Sequence, residues 1–234
     1  MSGHSKWHSI KHKKAASDAK KGKIFTKLAR AITVAAKSNP DPDTNFQLRL
    51  AIDQAKAANM PKENIERAIA RATGEGKDTL EEVIYEAYGP GGVALIIEVL
   101  TDNKNRTVSN LKHILSSHGG SMAGSGSVQY LFDRKGVVRI KSLGDNPEEM
   151  ELKLIDAGAE DIYEEEDLRV IICAPEKLKN ILKALEDTEI EYSGIEWIAK
   201  DRVTPDEETQ GNLEKLFDAL EDDDDVNDYS SNLA

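Results

Sequence analysis

The sequence is poor in the residues that build cross-linked or membrane-spanning proteins. Its 234 residues include one cysteine, Cys173, which excludes a disulfide framework and a cysteine-based zinc site. No apolar run approaches the roughly 18 residues that a membrane helix needs. The first residues lack the apolar core of a secretory signal, so we expect a cytoplasmic protein with no membrane partner.

Charge is abundant, and its sign differs between the two ends of the chain. The formal net charge is -12, from 31 Lys and Arg against 43 Asp and Glu. Residues 1–78 nevertheless carry 16 basic and 8 acidic side chains. Nine of those basic residues precede position 31, where Asp18 is the one acid. A basic end on an acidic chain indicates a polyanionic partner that contacts one face only.

The basic arm, residues 1–30, combines cations with flat rings. Each cation can neutralise a phosphate, and an interleaved ring can stack on an unpaired base. We therefore predict a nucleic-acid-binding segment consisting of Lys6, Trp7, His8, Lys11, His12, Lys13, Lys14, Lys20, Lys21, Lys23, Lys27 and Arg30. Because lysine outnumbers arginine, we expect little readout of base sequence. A solvated tail is the alternative interpretation.

Other motifs give weaker signals for chemistry. His4, His8 and His12 recur every four residues, but no carboxylate or cysteine accompanies them, so we predict no metal and no cofactor. Neither glycine-rich loop, at 89–92 or 119–127, matches a phosphate-loop motif. No Ser/His/Asp or Cys/His set stands out, which favours a protein without catalytic activity.

A second anion site is predicted at the start of a helix near residue 105. Lys104, Asn105 and Arg106 follow a buried strand, and a helix N-terminus with two cations attracts anions. The alternative is simple capping of the helix by Asn103 or Asn105. The acidic run at 221–225 is interpreted as a solvated loop, or as a contact for a basic partner or for the chain's own arm.

Apolar spacing predicts three helices in residues 18–76. The first covers 18–37, and the second starts after Asp43 or Thr44 as its N-cap and stops at Asn59. The third starts at Pro61 and ends at Gly74 as its C-cap. Short apolar side chains fill this unit, so alone it would be marginally stable.

The remaining residues predict an α/β architecture. Strands at 83–87, 93–101 and 127–132, a helix at 105–118 and a turn at 133–136 come first. Strands at 136–141, 160–164, 168–173 and 190–200 alternate with helices at 147–157 and 176–187 in the ferredoxin-like order βαββαβ. A helix at 206–220 and a strand at 225–231 follow.

The predicted fold class is α+β, with a three-helix N-terminal domain followed by two ferredoxin-like α/β domains, one inserted in the other. The division is 1–78 for the basic arm and helices, 79–133 plus 204–234 for a discontinuous α/β domain, and 134–203 for the inserted domain. It rests on counting elements, because the last helix and strand would complete the first α/β domain.

Several separated blocks of the sequence resemble the YebC family. The blocks are GHSKWHSIKHKKAASDAKKGKIFTKLAR, AANMPKENIERAI, GPGGVALIIEVLTDNKNRT and FDRKG, spread over essentially the whole chain. The family includes the mitochondrial translational activator of cytochrome c oxidase. The resemblance implies a helical N-terminal domain and two ferredoxin-like domains. It also implies a transcriptional regulator that binds DNA, or a translation factor that acts on ribosomes, including at proline-rich stalls.

The function predicted from these observations is a nucleic-acid-binding regulator of gene expression, with DNA or ribosomal RNA as its partner. The basic arm would contact phosphates, and the α/β domains would position it. A small-molecule sensor that binds an effector between paired α/β domains is the hypothesis from another class, and a hydrolase ranks last.

Overall fold

The computed structural model describes residues 18–73, 79–165 and 167–234, with the side chains of 18–20 left out. Three helices come first: α1 (Asp18–Ala36), α2 (Phe46–Ala57) and α3 (Lys62–Thr73). Their apolar faces meet in one core that contains Ile32, Ala36, Leu48, Ala51, Ile52, Ala55, Met60, Ile65, Ala68 and Ala72. The predicted C-cap Gly74 lies outside the described residues.

The start of α2 differs from the sequence prediction. Asn45, rather than Asp43 or Thr44, is the N-cap, and its side-chain oxygen accepts a hydrogen bond from the Leu48 amide at 3.1 Å. The Asn45 amide group also donates to the main-chain oxygen of Ala35 at 2.8 Å. Asn45 therefore joins the end of α1 to the start of α2, a contact between two helices that residue preferences at a cap do not reveal.

The first sheet combines strands from the middle and the end of the described chain. Strands β1 (Glu81–Tyr88) and β2 (Ala94–Thr101) form a central antiparallel hairpin. Helix α4 (Lys104–Ser117) leads to the short edge strand β3 (Ser121–Met122) beside β1. Helix α7 (Glu207–Asp222) leads to β8 (Val226–Ser231), which pairs with β2. The strand order is β3-β1-β2-β8.

One face of this sheet carries both of its helices. Leu95, Ile97 and Val99 of β2 are fully buried against Leu111 and Leu115 of α4 and against leucines of α7. The pairing of β8 with β2 closes a sheet whose other strands lie more than 100 residues earlier. The division into an outer and an inserted domain stays a prediction. That division requires the last strand of the chain to pair with the first sheet, as β8 does with β2.

In sequence, the residues of the second sheet lie between β3 and α7, that is, between the two stretches that form the first sheet. It contains β4 (Phe132–Ile140), α5 (Pro147–Ala157), β5 (Ala159–Glu165), β6 (Leu168–Cys173), α6 (Leu178–Ala184) and β7 (Ile190–Ala199). All neighbouring strands are antiparallel in the order β5-β6-β4-β7. This is the ferredoxin-like arrangement that the βαββαβ order predicts. Gly158, with a φ of 109°, ends α5 as expected.

The predicted strand at 127–132 and the turn at 133–136 are wrong. Residues 129–131 form a short 3-10 helix, and β4 runs without interruption from Phe132 to Ile140. Gly136 therefore lies inside a strand. A Cβ atom there would approach the Cys173 sulfur to 2.8 Å and the Leu178 Cβ to 3.0 Å, so the glycine permits close packing instead of a turn.

The two sheets meet in an apolar seam on the face of the first sheet that carries no helix. Ala94 and Ile96 of β2 pack there with Val128, Phe132 and Trp197. The helical unit is attached to the second sheet through the Gln54 amide, which donates to the main-chain oxygen of Ser193 at 2.9 Å. In the parts of the chain that the structure covers, no helix is long and apolar enough to cross a membrane.

Glu98 of β2 lies half-buried at this seam and generates a pH-dependent prediction. Burial, followed by the charges of Asp228 and Glu82, raises the pKa of Glu98 to about 8. The folded protein therefore holds a proton that the unfolded chain releases near pH 4.5, so stability falls as the pH rises from about 4.5 to 8. The free energy of unfolding of E98Q should exceed that of the wild type at pH 8.5 and not at pH 4.5. The gap should reach a few kcal/mol, since one pKa unit is worth about 1.4 kcal/mol.

Urea unfolding at a series of pH values measures this difference. The exposed Glu189 provides a control, because E189Q should shift stability little at any pH. A stability gap between E98Q and the wild type that is the same at pH 4.5 and 8.5 would contradict the assignment of the proton to Glu98.

The domain division predicts that residues 134–203 can be removed. The Lys200 amide donates to the main-chain oxygen of Leu131 at 2.9 Å, so the two ends of this segment lie close together and a short Gly-Ser linker can join them. The shortened chain should still unfold cooperatively, at a lower temperature, because Trp197 no longer covers Ile96. Calorimetry and near-ultraviolet circular dichroism measure this, and a non-cooperative remainder would contradict the division.

Candidate nucleic-acid interface

The predicted interface divides into described and undescribed residues. Lys6, Trp7, His8, Lys11, His12, Lys13 and Lys14 lie outside the described residues, as does the side chain of Lys20. Their role stays a prediction. Lys21, Lys23, Lys27 and Arg30 lie on α1, whose side chains are described from Lys21 onward. The apolar face of α1 packs into the helical core, which turns these cations outward.

Lys23 and Lys27 contact the acidic run at 221–225. The Lys23 ammonium lies 2.7 Å from a carboxylate oxygen of Asp222, and the Lys27 ammonium donates to the main-chain oxygen of Glu221 at 2.6 Å. The hydrogen bond that Lys23 donates to Asp222 raises the pKa of Lys23. Among the interpretations of the acidic run, the structure supports a contact with the chain's own basic arm. These two lysines are partly occupied by internal partners.

Arg30 is held more firmly than the lysines. Its guanidinium donates to the Asp225 carboxylate at 2.9 Å and to the main-chain oxygen of Leu100 at 3.3 Å. The Arg30 side chain is 23 % exposed and the Asp225 side chain is 6 % exposed, so water screens this pair only partly. The predicted nucleic-acid ligand Arg30 therefore serves as a link between α1 and the first sheet.

Asp225 binds two further groups. Its carboxylate accepts from the Arg106 guanidinium at 3.0 and 3.1 Å and from the Thr107 hydroxyl at 2.8 Å. Burial raises the pKa of Asp225, but the hydrogen bonds from Thr107, Arg106 and Arg30 outweigh it, so the pKa lies below its usual value. The Asp225 carboxylate remains ionised and joins α1, α4 and β8.

The second predicted anion site is filled by carboxylates of the chain. Lys104 lies 2.6 Å from Glu81, and Arg106 contacts both Asp102, at 2.8 Å, and Asp225. Asn103 caps α4, as the alternative interpretation expected, and its side-chain oxygen accepts a hydrogen bond from the Arg106 amide at 3.1 Å. Asn105 is exposed and adds no carboxylate or cation. An external anion at Lys104, Asn105 and Arg106 would have to displace Asp225. The second anion site therefore stays a prediction, and both of its cations are already paired with carboxylates of the chain.

Lys21 lies at the mouth of a cleft of about 1340 Å³ between the helical unit and the second sheet. Ile24, Phe25 and Leu28 of α1 line one wall, and α6 supplies Lys179 and Lys183 on the other. The same cleft includes the acids Asp53, Glu186 and Glu191, so its charge is mixed. A cleft of mixed charge attracts a polyanion less than a uniformly basic one.

The structure places no other candidate chemistry in the described residues. No group of three or more His, Cys, Asp or Glu among them is arranged to hold a metal. Cys173 is fully buried in the core of the second sheet, and burial raises the pKa of its thiol to about 11. It is therefore a packing residue.

Sequence reasoning did not assign the central role of Asp225. A signal was present, because Asp225 belongs both to the acidic run at 221–225 and to the strand predicted at 225–231, and a residue of a paired strand is not part of a solvated loop. Its partners Arg30 and Arg106 lie 195 and 119 residues away in sequence, so charge patterns within a short window do not identify the cluster.

Comparison with known proteins agrees with the fold. A model of the TACO1/YebC protein N-terminal domain matches residues 5–75, and a model of the TACO1/YebC second and third domain matches residues 80–233. The chain belongs to the TACO1/YebC family. The first family model ends at residue 75 and the second begins at residue 80, so the boundary between them lies between α3 and β1.

Relatives within the family cover the full length. A protein of Kosmotoga olearia is 50% identical over 100% of this chain and 94% of its own length, and one of Fervidobacterium nodosum is 51% identical with the same coverage. Each is named a probable transcriptional regulatory protein. The crystal structure of a conserved hypothetical protein of Aquifex aeolicus superimposes with a TM-score of 0.86 at 46% identity, covering 96% of this chain and 95% of that one.

The Asp225 cluster generates a stability prediction. Asp225→Asn replaces the anion by an amide whose NH2 faces two guanidiniums, so we expect the free energy of unfolding to drop by about 1–3 kcal/mol at pH 7. Because the folded pKa of Asp225 is lowered, its stabilisation is present above the unfolded pKa near 3.8 and is lost as the pH falls through the folded pKa. Wild type and D225N should therefore converge in strong acid.

Urea unfolding at pH 7 and below pH 3 measures both parts of this prediction. The neighbouring exposed Asp224 supplies the matched control, since D224N should change stability by less than about 0.5 kcal/mol. Equal effects of D224N and D225N at pH 7 would mean that the Asp225 cluster is not a structural link.

Proposed function

We propose that the protein is a non-catalytic regulator of gene expression that binds nucleic acid, with duplex DNA as its target, through the basic arm. The observation that carries this proposal is the excess of cations in residues 1–30, where nine Lys and Arg accompany one acid. Counterion release from phosphates favours such a segment on nucleic acid without any base readout. The names of the relatives support regulation of transcription.

The internal contacts reduce the set of cations proposed to contact phosphate. Lys23, Lys27 and Arg30 are held by the run at 221–225, so the cations proposed for phosphate contact are those before them: Lys6, Lys11, Lys13, Lys14, Lys20 and Lys21. His8 and His12 are proposed to hydrogen-bond to the backbone beside them, and the Trp7 ring to pack against a sugar, because a duplex offers no unpaired base for stacking. The acidic body, with 15 basic and 35 acidic residues from 79 onward, repels phosphate and limits contact to the arm side.

A charge-reversal experiment on the arm tests the proposal. Lys11→Glu, Lys13→Glu and Lys14→Glu together should lower affinity for a 30-base-pair duplex by at least tenfold at about 100 mM salt. The slope of log K against log salt should become shallower by about 3, because each lost phosphate contact changes it by about 1. Fluorescence anisotropy at several salt concentrations measures both quantities.

A second triple variant controls for net charge. Lys112, Lys179 and Lys183 are exposed and lie on α4 and α6, and their change to Glu alters the net charge by the same amount. This control should retain at least half of the affinity. Equal loss in both variants, or no salt-dependent DNA binding by the wild type, would contradict the proposal. Binding to ribosomal RNA but not to duplex DNA would replace the target by the ribosome.

A further inference from the structure

A polar groove separates α1 from α3 on the helical unit. It has a volume of about 390 Å³, and its polar lining consists of Thr26 and Arg30 of α1, Asn64, Arg67 and Arg71 of α3, and Asp102. The small residues Ala29 and Ala68 also line it. Their short side chains leave space between the polar residues of the two helices.

Two guanidiniums in this groove have no counter-charge among the residues that the structure describes. Arg67 and Arg71 are exposed and lie four residues apart, so they project from the same face of α3. Within the described residues, neither forms an ion pair, although Glu63 precedes Arg67 by one turn. Asn64, one turn before Arg67, adds an amide group to the same side.

The other charges in the groove are already paired. Arg30 is bound to Asp225, and the Asp102 carboxylate is bound to Arg106 at 2.8 Å. The remaining charge among the described lining residues is therefore positive and is supplied by Arg67 and Arg71. This differs from the larger cleft beside α2, where three acids accompany the lysines.

The groove also lies close to the first turns of α1. Phe25 and Thr26, which line the groove, lie seven and eight residues after Asp18, which is about 10–12 Å along an α-helix. A nucleic-acid strand presents a charge about every 3.4 Å, so roughly three phosphates span this distance. A backbone held by the arm can therefore reach the groove.

We propose that Arg67 and Arg71 bind the phosphodiester backbone of the nucleic acid and continue the contact that the arm begins. This inference rests on the proposed function and adds a second, structured binding site to it. Arginine suits the role because its planar guanidinium binds two phosphate oxygens at once. The site binds phosphate and sugar and reads no base, since two arginines without an opposing base pocket position a backbone without specifying sequence.

A pair of charge-reversal variants tests the inference. Arg67→Glu with Arg71→Glu should weaken binding of the 30-base-pair duplex at least tenfold and flatten the salt slope by about 2. Lys179→Glu with Lys183→Glu is the matched control, because these lysines are also four residues apart on a helix, exposed, and unpaired within the described residues. The control should change affinity less than twofold.

Folding and charge are separated by two milder variants. R67Q/R71Q removes the charge without adding repulsion and should still lose affinity, whereas R67K/R71K should recover only part of it, because lysine keeps the charge but not the bidentate contact. Thermal unfolding of each variant within a few degrees of the wild type shows that the helical unit is intact. Full affinity in R67Q/R71Q, with binding lost in the arm variant, overturns this inference alone. Absence of nucleic-acid binding by the wild type overturns the proposed function and this inference with it.

Competition distinguishes a backbone site from a site for a free nucleotide. ATP and inorganic pyrophosphate should displace the duplex only at millimolar concentrations, as general ionic competitors do. Displacement by micromolar ATP, lost in R67Q/R71Q, would assign the groove to a free nucleotide and contradict the inference.

Discussion

The carboxylate of Asp225 joins the three parts of the chain that surround it. It binds Arg30 of the helical unit, Arg106 and Thr107 of α4, and it stands at the start of the last strand. The backbone amide of Leu100 also donates to the main-chain oxygen of Asp225 at 2.9 Å, which extends the pairing of β2 with β8. A single ionised side chain thus orients the helices against the first sheet, and a low pKa keeps it ionised.

This arrangement divides the basic residues into two sets. Lys23, Lys27 and Arg30 satisfy the acidic run that ends at Asp225, whereas Arg67 and Arg71 remain without a carboxylate partner in the described structure. The cations of the first set neutralise part of the acidic run and so weaken the repulsion that the acidic body exerts on an approaching polyanion. The proposals for function follow from the second set and from the cations that precede Lys23 in the sequence.

The sequence predicted most helices and strands because their apolar spacing is local. The strand at 168–173 and the helix at 147–157 coincide with β6 and α5. It was wrong where distant residues decide: Gly136 is fixed by Cys173 and Leu178, and Asn45 by the end of α1. In the candidate site, Arg30 and Arg106 looked available because Asp225, which binds them both, is more than 100 residues away in sequence. The sequence shows Arg67 and Arg71 only as two charges on a predicted helix, because the groove that they line forms between two helices.

Lysine acetylation read by mass spectrometry, with and without bound duplex DNA, tests the division of cations most directly. The lysines from Lys6 to Lys21 should react readily in the free protein and be protected by DNA. Lys23 and Lys27 should react slowly in both states, and Lys179 and Lys183 readily in both. Strong protection of Lys23 and Lys27 by DNA, with the lysines of the arm unaffected, would contradict this division.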